Sequence, residues 1–200
     1  MCIRDSVYGA QYEQNQSYAT SYIPTSGATV PREADVANGA GNSEVFNDSE
    51  GVLFANIAAL NDDFTFRTLA ISDESTSNNI GIGYRTSSNV IYTFLKADIN
   101  SSTAITVSDI TLYNKVAVKY KSGEYAMWIN GFKRYSPTTT FTLSGLDEFA
   151  FDNGGGDADF YGKAKEIGVY DAVLTDAELE ALTSYTSFTN MANELNLTIK

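Results

Sequence analysis

From Val52 to about Tyr170, apolar and aromatic residues come in short runs interrupted by Gly, Asn, Asp and Ser. Runs of this length between turn residues predict the strands of an antiparallel sandwich or barrel. The pattern marks Gly51–Ala58, Phe66–Ser72, Asn79–Arg85, Val90–Ala97, Ala104–Ser108, Lys115–Lys121, Tyr125–Asn130, Phe132–Tyr135, Glu148–Asp152 and Phe160–Tyr170. In Lys115–Lys121, Val116, Val118 and Tyr120 alternate with Lys115, Ala117, Lys119 and Lys121. A period of two turns the first set inward and sends the second to water. Lys121-Ser122-Gly123-Glu124 supplies a turn, and Asn130-Gly131 is the two-residue signal for a type I′ hairpin, whose central residues need positive φ. The segment from Asn114 to Tyr135 therefore reads as a meander.

The period changes near the C-terminal end. Thr175-Asp176-Ala177-Glu178 has the capping-box spacing, and Leu174 and Leu179 stand at the staple positions. A short helix over residues 176–183 follows, with Leu179 and Leu182 inward and its early acids at the positive end of the dipole. A second helical pattern, over residues 188–195, gathers Phe188, Met191, Ala192 and Leu195 on one face.

Composition removes most enzyme chemistries. The 200 residues hold 13 Lys+Arg against 25 Asp+Glu and no His, for a net charge of −12. Without His there is no Ser-His-Asp or Cys-His nucleophile and no imidazole titrating near neutrality. So acidic a chain repels phosphates, so nucleic acid is not expected as a partner. No run approaches the ~18 apolar residues of a membrane span, so no membrane insertion is expected. Met1–Ser6 back-translates to a sequence resembling a transposon-end adapter, and residues 1–6 are read as an artefact. They contain Cys2, the single cysteine, which leaves no thiol for disulfides or metal sites.

The segments NKVAVKYKSGEYAMWING, from Asn114 to Gly131, and FYGKAKEIGVYDAVLTDAELEAL, from Phe160 to Leu182, resemble the concanavalin A-like lectin/glucanase superfamily, specifically its laminin-G-like branch. The resemblance covers roughly residues 51–182. It implies an all-β fold, a two-sheet antiparallel jelly-roll sandwich with one or two short C-terminal helices. YGAQYEQNQSYATSYIPTSGATVPREAD, within residues 7–35, is similar to the joining segment of phage tail and other virion-associated proteins. Residues 7–42 are accordingly expected to be a connector and the tail of an upstream domain, residues 43–184 the sandwich, and residues 185–200 a helical tail. Pro24 removes a backbone donor and biases Ile23 away from helix, so the connector is extended there.

Some members of this superfamily cleave glucans with carboxylates about 5–5.5 Å apart. Glu33-x-Asp35 is the nearest approach here, and it falls in the connector; Asp147 and Glu148 are adjacent and would point to opposite faces of a strand. Surface solvation accounts for both. Calcium is the one cofactor the sequence points to, through the loop Asp152-Asn153-Gly154-Gly155-Gly156-Asp157-Ala158-Asp159, with Asp152, Asp157 and Asp159 as ligands. The competing account is an ordinary acidic turn. Trp128, the sole tryptophan, falls on the opposite face from Met127 and Ile129, where it could stack on a sugar ring, with Tyr84 and Tyr92 extending the platform. The competing account is that it covers the second sheet or the docked helix.

These expectations converge on a non-catalytic, lectin-like carbohydrate-binding or adhesion module of a phage tail or other virion-associated protein, located on the virion or outside the cell. Its partners would be a polysaccharide or cell-surface glycan, other virion proteins and, on assembly, further copies of itself. A purely structural fibre domain is the alternative from another class, and a divergent glycan hydrolase is the third.

Overall fold

The structure, a computed structural model, describes residues 12, 22–24, 26–31 and 39–185. Contacts divide the chain into two units, Met1–Val36 and Ala37–Lys200. In the first, Tyr22 and Val30 are exposed and Gly27 takes a φ of 77°. Among the described residues, the strands and the helix lie in the second.

In chain order the elements are β1 (Glu50–Ala59), β2 (Arg67–Ser72), β3 (Asn79–Tyr84), β4 (Val90–Lys96), β5 (Asn100–Thr106), β6 (Asn114–Lys121), β7 (Ala126–Ile129), β8 (Phe132–Tyr135), β9 (Glu148–Ala150), β10 (Gly162–Tyr170) and α1 (Asp176–Thr183). They form two antiparallel five-stranded sheets, ordered β10-β1-β6-β7-β8 and β5-β4-β3-β2-β9. The alternate positions anticipated by the sequence fill the space between them: Leu53, Ala55 and Ile57 from β1, Ile80 and Ile82 from β3, Val116, Val118 and Tyr120 from β6. Thr93, also facing inward, joins its hydroxyl to that of Tyr125 at 2.7 Å, so these polar groups satisfy each other within the core.

α1 covers the outside of the first sheet. Thr175 Oγ1 accepts from the Glu178 N–H at 3.3 Å, and Glu178 Oε2 accepts from the Thr175 N–H at 2.8 Å, completing the box. Leu179 is fully buried against Val52, Phe54, Ala117, Ala126 and Trp128, with Leu174 and Leu182 packed around them. This changes the reading of β6: Ala117 and Lys119 face away from the inter-sheet core as expected, yet the helix shields them from water. Local alternation cannot register a cover supplied by residues far along the chain.

Two boundaries also move. The fifth strand runs over Asn100–Thr106, earlier than the Ala104–Ser108 expected, because NSSTAIT is an edge strand with an exposed Ser/Thr face and little apolar signal. Ala40 pairs with Phe149 and Gly39 N–H donates to Glu148 Oε1 at 2.8 Å, so the sheet contacts reach back into the stretch assigned to the connector. The helical pattern over residues 188–195 lies outside the described residues.

Candidate functional site

The aromatic residues expected to form one platform are distributed over three environments. Trp128 does sit on the outer face of the first sheet, but it is 2% exposed beneath α1. Lys119 and Lys133 place their ammonium groups 5.7 and 5.0 Å from the ring centroid, and both lysines reach Asp176 at the start of the helix. This is a docking plug, held by apolar burial and cation–π attraction, and no sugar can reach its face. Of the two alternatives left open for Trp128, the structure selects the helix cover.

Tyr84 is likewise corrected. It is 1% exposed and belongs to the inter-sheet core, stacked on Phe160 at 6.0 Å, because it shares the inward parity of Ile80 and Ile82. Opposite it on β2, Arg67 is buried, ion-paired with Asp63, hydrogen-bonded to the Asn61 and Tyr161 carbonyls, and 4.2 Å from the Tyr161 ring. Burial works to raise the Asp63 carboxyl, and Thr65 together with the Arg67 charge outweighs it, leaving it below the usual carboxylate range.

Tyr92 alone occupies the outer face of the second sheet. It pairs with Gly83 on one side and Ala104 on the other; Phe94, two residues on, pairs with Gly81 and Ser102. The missing side chains at Gly81 and Gly83 let the two rings lie down, since a Cβ on Gly81 would overlap Phe94 and one on Gly83 would come within 2.8 Å of Tyr92. Phe66, Tyr92 and Phe94 run in a row, with centroids 5.0 and 5.5 Å apart. The Arg85 guanidinium stands 5.2 Å from the Tyr92 ring and 5.8 Å from Phe66, with no hydrogen bond or ion pair among the described residues. Phe66 is 38% exposed, Arg85 half-buried and Tyr92 3% exposed, so solvent meets the row chiefly through Phe66 and Arg85. Burial pushes the Tyr92 phenol far above its ordinary value, against the pull of Arg85, so its hydroxyl stays protonated. The sequence pattern puts Phe66 and Arg85 at the ends of two expected strands without singling them out for binding, and in the structure both lie just outside β2 and β3.

The acidic loop does not assemble as expected. Asp152 is buried and its carboxylate accepts from the Gly154 N–H at 2.6 Å, whereas Asp157 and Asp159 are exposed. Among the described residues no group of three or more acidic or Cys side chains is placed to hold a metal ion. Asp152, Asp157 and Asp159 therefore do not form a common calcium site, because the successive glycines fold the loop on Asx turns at Asp152 and Asn153. Glu148, considered earlier beside Asp147, has its carboxylate bonded to Gly39. Glu33 and Asp35 lie outside the described residues.

No protein-family model matches the chain, and no curated protein matches it significantly. Solved structures do. The chain is similar to the CBM40 module of the Ruminococcus gnavus IT-sialidase, at TM-score 0.61 and 15% identity over 76% of this chain and 96% of that one. It is also similar to domain 4 of AbnA, a GH43 extracellular arabinanase from Geobacillus stearothermophilus, at TM-score 0.58 and 15% identity over 72% and 70% of the two chains. A third likeness, at TM-score 0.57 and 13% identity over 76% of each chain, is to the heptameric SAP-like pentraxin of Limulus polyphemus. At such identities the likeness defines the fold: an all-β, lectin-like jelly-roll sandwich.

Proposed function

We propose that the protein is a carbohydrate-binding module without chemistry of its own, holding an oligosaccharide at the outer face of its second sheet on Phe66, Tyr92 and Arg85. The observation that carries this reading is the ring row with a guanidinium over it that is not ion-paired among the described residues. The exposed face of Phe66 takes the C–H side of a sugar ring, while the Arg85 guanidinium donates to its oxygens and the buried Tyr92 ring backs the pair. Support comes from the neighbours: the CBM40 module is known in complex with α2,3 and α2,6 sialyllactose, and the AbnA domain with arabinotriose. We further read the module as one displayed on a virion, as part of a phage tail or similar protein, on the resemblance of residues 7–35.

A purely structural fibre domain fits less well. The free edge of β10 exposes Lys163, Lys165 and Glu166, charges that oppose edge-to-edge pairing. The test is retention of the full chain on a panel of immobilised polysaccharides. Retention by at least one, lowered roughly tenfold in Arg85→Ala at unchanged Tm, is expected; equal retention of the variant would remove the ring row from the site.

A further inference from the structure

A second recess lies where the two sheets end. Thr106 and Ser108, leaving β5 in one sheet, face Asn130, Phe132 and Arg134 of the β7–β8 hairpin in the other, with Tyr185 alongside, around a cleft of about 180 Å³. The hairpin is rigidly held. Asn130 and Gly131 take φ of 50° and 85°, the mirror-image turn their sequence predicts. Asn130 Oδ1 accepts from the Lys115 N–H at 2.9 Å, its Nδ2 donates to Asn114 Oδ1 at 2.8 Å, and the Gly131 N–H donates to Thr183 Oγ1 at 3.1 Å. The turn is thus tied to β6 and to the last turn of α1.

The β7–β8 pairing shifts register between Met127 and Trp128, which leaves Arg134 as the extra residue between Lys133 and Tyr135. Lys133 reaches Asp176 and Trp128 on the helix side, while Phe132 and Arg134 line the cleft. Phe132 is 61% exposed. Among the described residues the Arg134 guanidinium has no hydrogen bond, ion pair or ring contact, in a chain where acids outnumber bases 25 to 13. Lys119, Lys121 and Lys133, by contrast, all reach carboxylates. The hydroxyls of Thr106 and Ser108 are also without partners among the described residues, and no acidic side chain lines the cleft.

We propose that this cleft is a second ligand site, distinct from the ring row, which takes a single carboxylated sugar ring. The planar fork of Arg134 matches a carboxylate through two parallel hydrogen bonds. Phe132 stacks on the sugar's C–H face, and Thr106 and Ser108 meet its hydroxyls. The volume is below the ~300 Å³ at which pockets for drug-sized ligands begin, which suits a single ring within the cleft. The surrounding charge of −12 rejects a polyanion while one local cation holds a monoanion. The inference extends the glycan-binding reading to another surface, so the two can fail separately.

The test is NMR titration of the full chain, labelled with ¹⁵N, against sodium glucuronate, glucose and glucose 6-sulfate at constant ionic strength. Glucuronate is expected to shift the Arg134 side-chain N–H and the backbone amides of Ser108 and Phe132, saturably, with glucose producing no such shifts. Arg134→Gln should weaken this roughly tenfold or more at unchanged Tm, and Arg134→Lys should restore only part of it. Binding of the sulfate ester but not glucuronate overturns the carboxylate assignment. Equal shifts with all three, or none, overturn the site. Polysaccharide retention that persists in Arg134→Gln keeps the ring-row reading independent of either result.

Discussion

Trp128 shows how one residue changes role when a distant element covers it. Its parity on β7 places it outside the inter-sheet core, and a helix starting 48 residues later closes over it. Its energetic contribution is therefore that of a core aromatic. Trp128→Ala should cost about 3–5 kcal/mol and lower Tm by an amount on the order of 10 °C, with polysaccharide retention per folded molecule unchanged. Thermal unfolding beside a retention assay checks this; a variant of normal Tm that has lost retention would return Trp128 to a binding role. Tyr92 differs from it in one respect that matters, namely the company of Arg85 and the accessible ring of Phe66. Period-two reasoning placed Trp128 on an outer face but could not say that this face would be roofed.

At the scale of elements, α1 was legible in full, from its cap to its end, because the box and staple are local signals. Lys133 hydrogen-bonds Asp176, and Thr175 hydrogen-bonds Glu178, so both carboxyls sit below their ordinary values of 3.8 and 4.5. A depressed folded value means the unfolded chain takes up protons first. The helix is then fully supported above those values and loses that support as pH falls through and below them. Emission of Trp128, the sole tryptophan, reports the docking: a red shift is expected on acidification below about pH 4.5, and it should be smaller in Asp176→Asn. An identical titration in that variant would contradict the role given to Asp176. Thr175→Ala, which opens the box, should cost about 1 kcal/mol, read as a Tm lower by about 2–4 °C. β5 was the element placed least well, since an edge strand with an exposed Ser/Thr face carries too few apolar positions to fix its start.

For the whole molecule, the sequence conveyed the two-layer architecture because the strand runs, the Asn130-Gly131 hairpin and the capping box agree with one another. The candidate site was legible only through Tyr92. Phe66, Arg85, Phe132 and Arg134 are brought to their neighbours by sheet pairing and by the approach of two sheets, and no spacing along the chain encodes either. The acidic loop makes the same point in reverse: residues close in sequence are not gathered in space. Chelation should accordingly leave Tm unchanged, and a drop in EDTA reversed by calcium would contradict that placement of Asp152, Asp157 and Asp159.

The most direct test of the central claim, that glycan is held on the outer face of the second sheet, is an amide chemical-shift map of the labelled chain saturated with an oligosaccharide from the polysaccharide that retains it. Perturbations centred on Phe66, Gly83, Arg85, Tyr92 and Ala104 are expected. Perturbations confined to the helix-covered sheet, or none at saturating sugar, would contradict it.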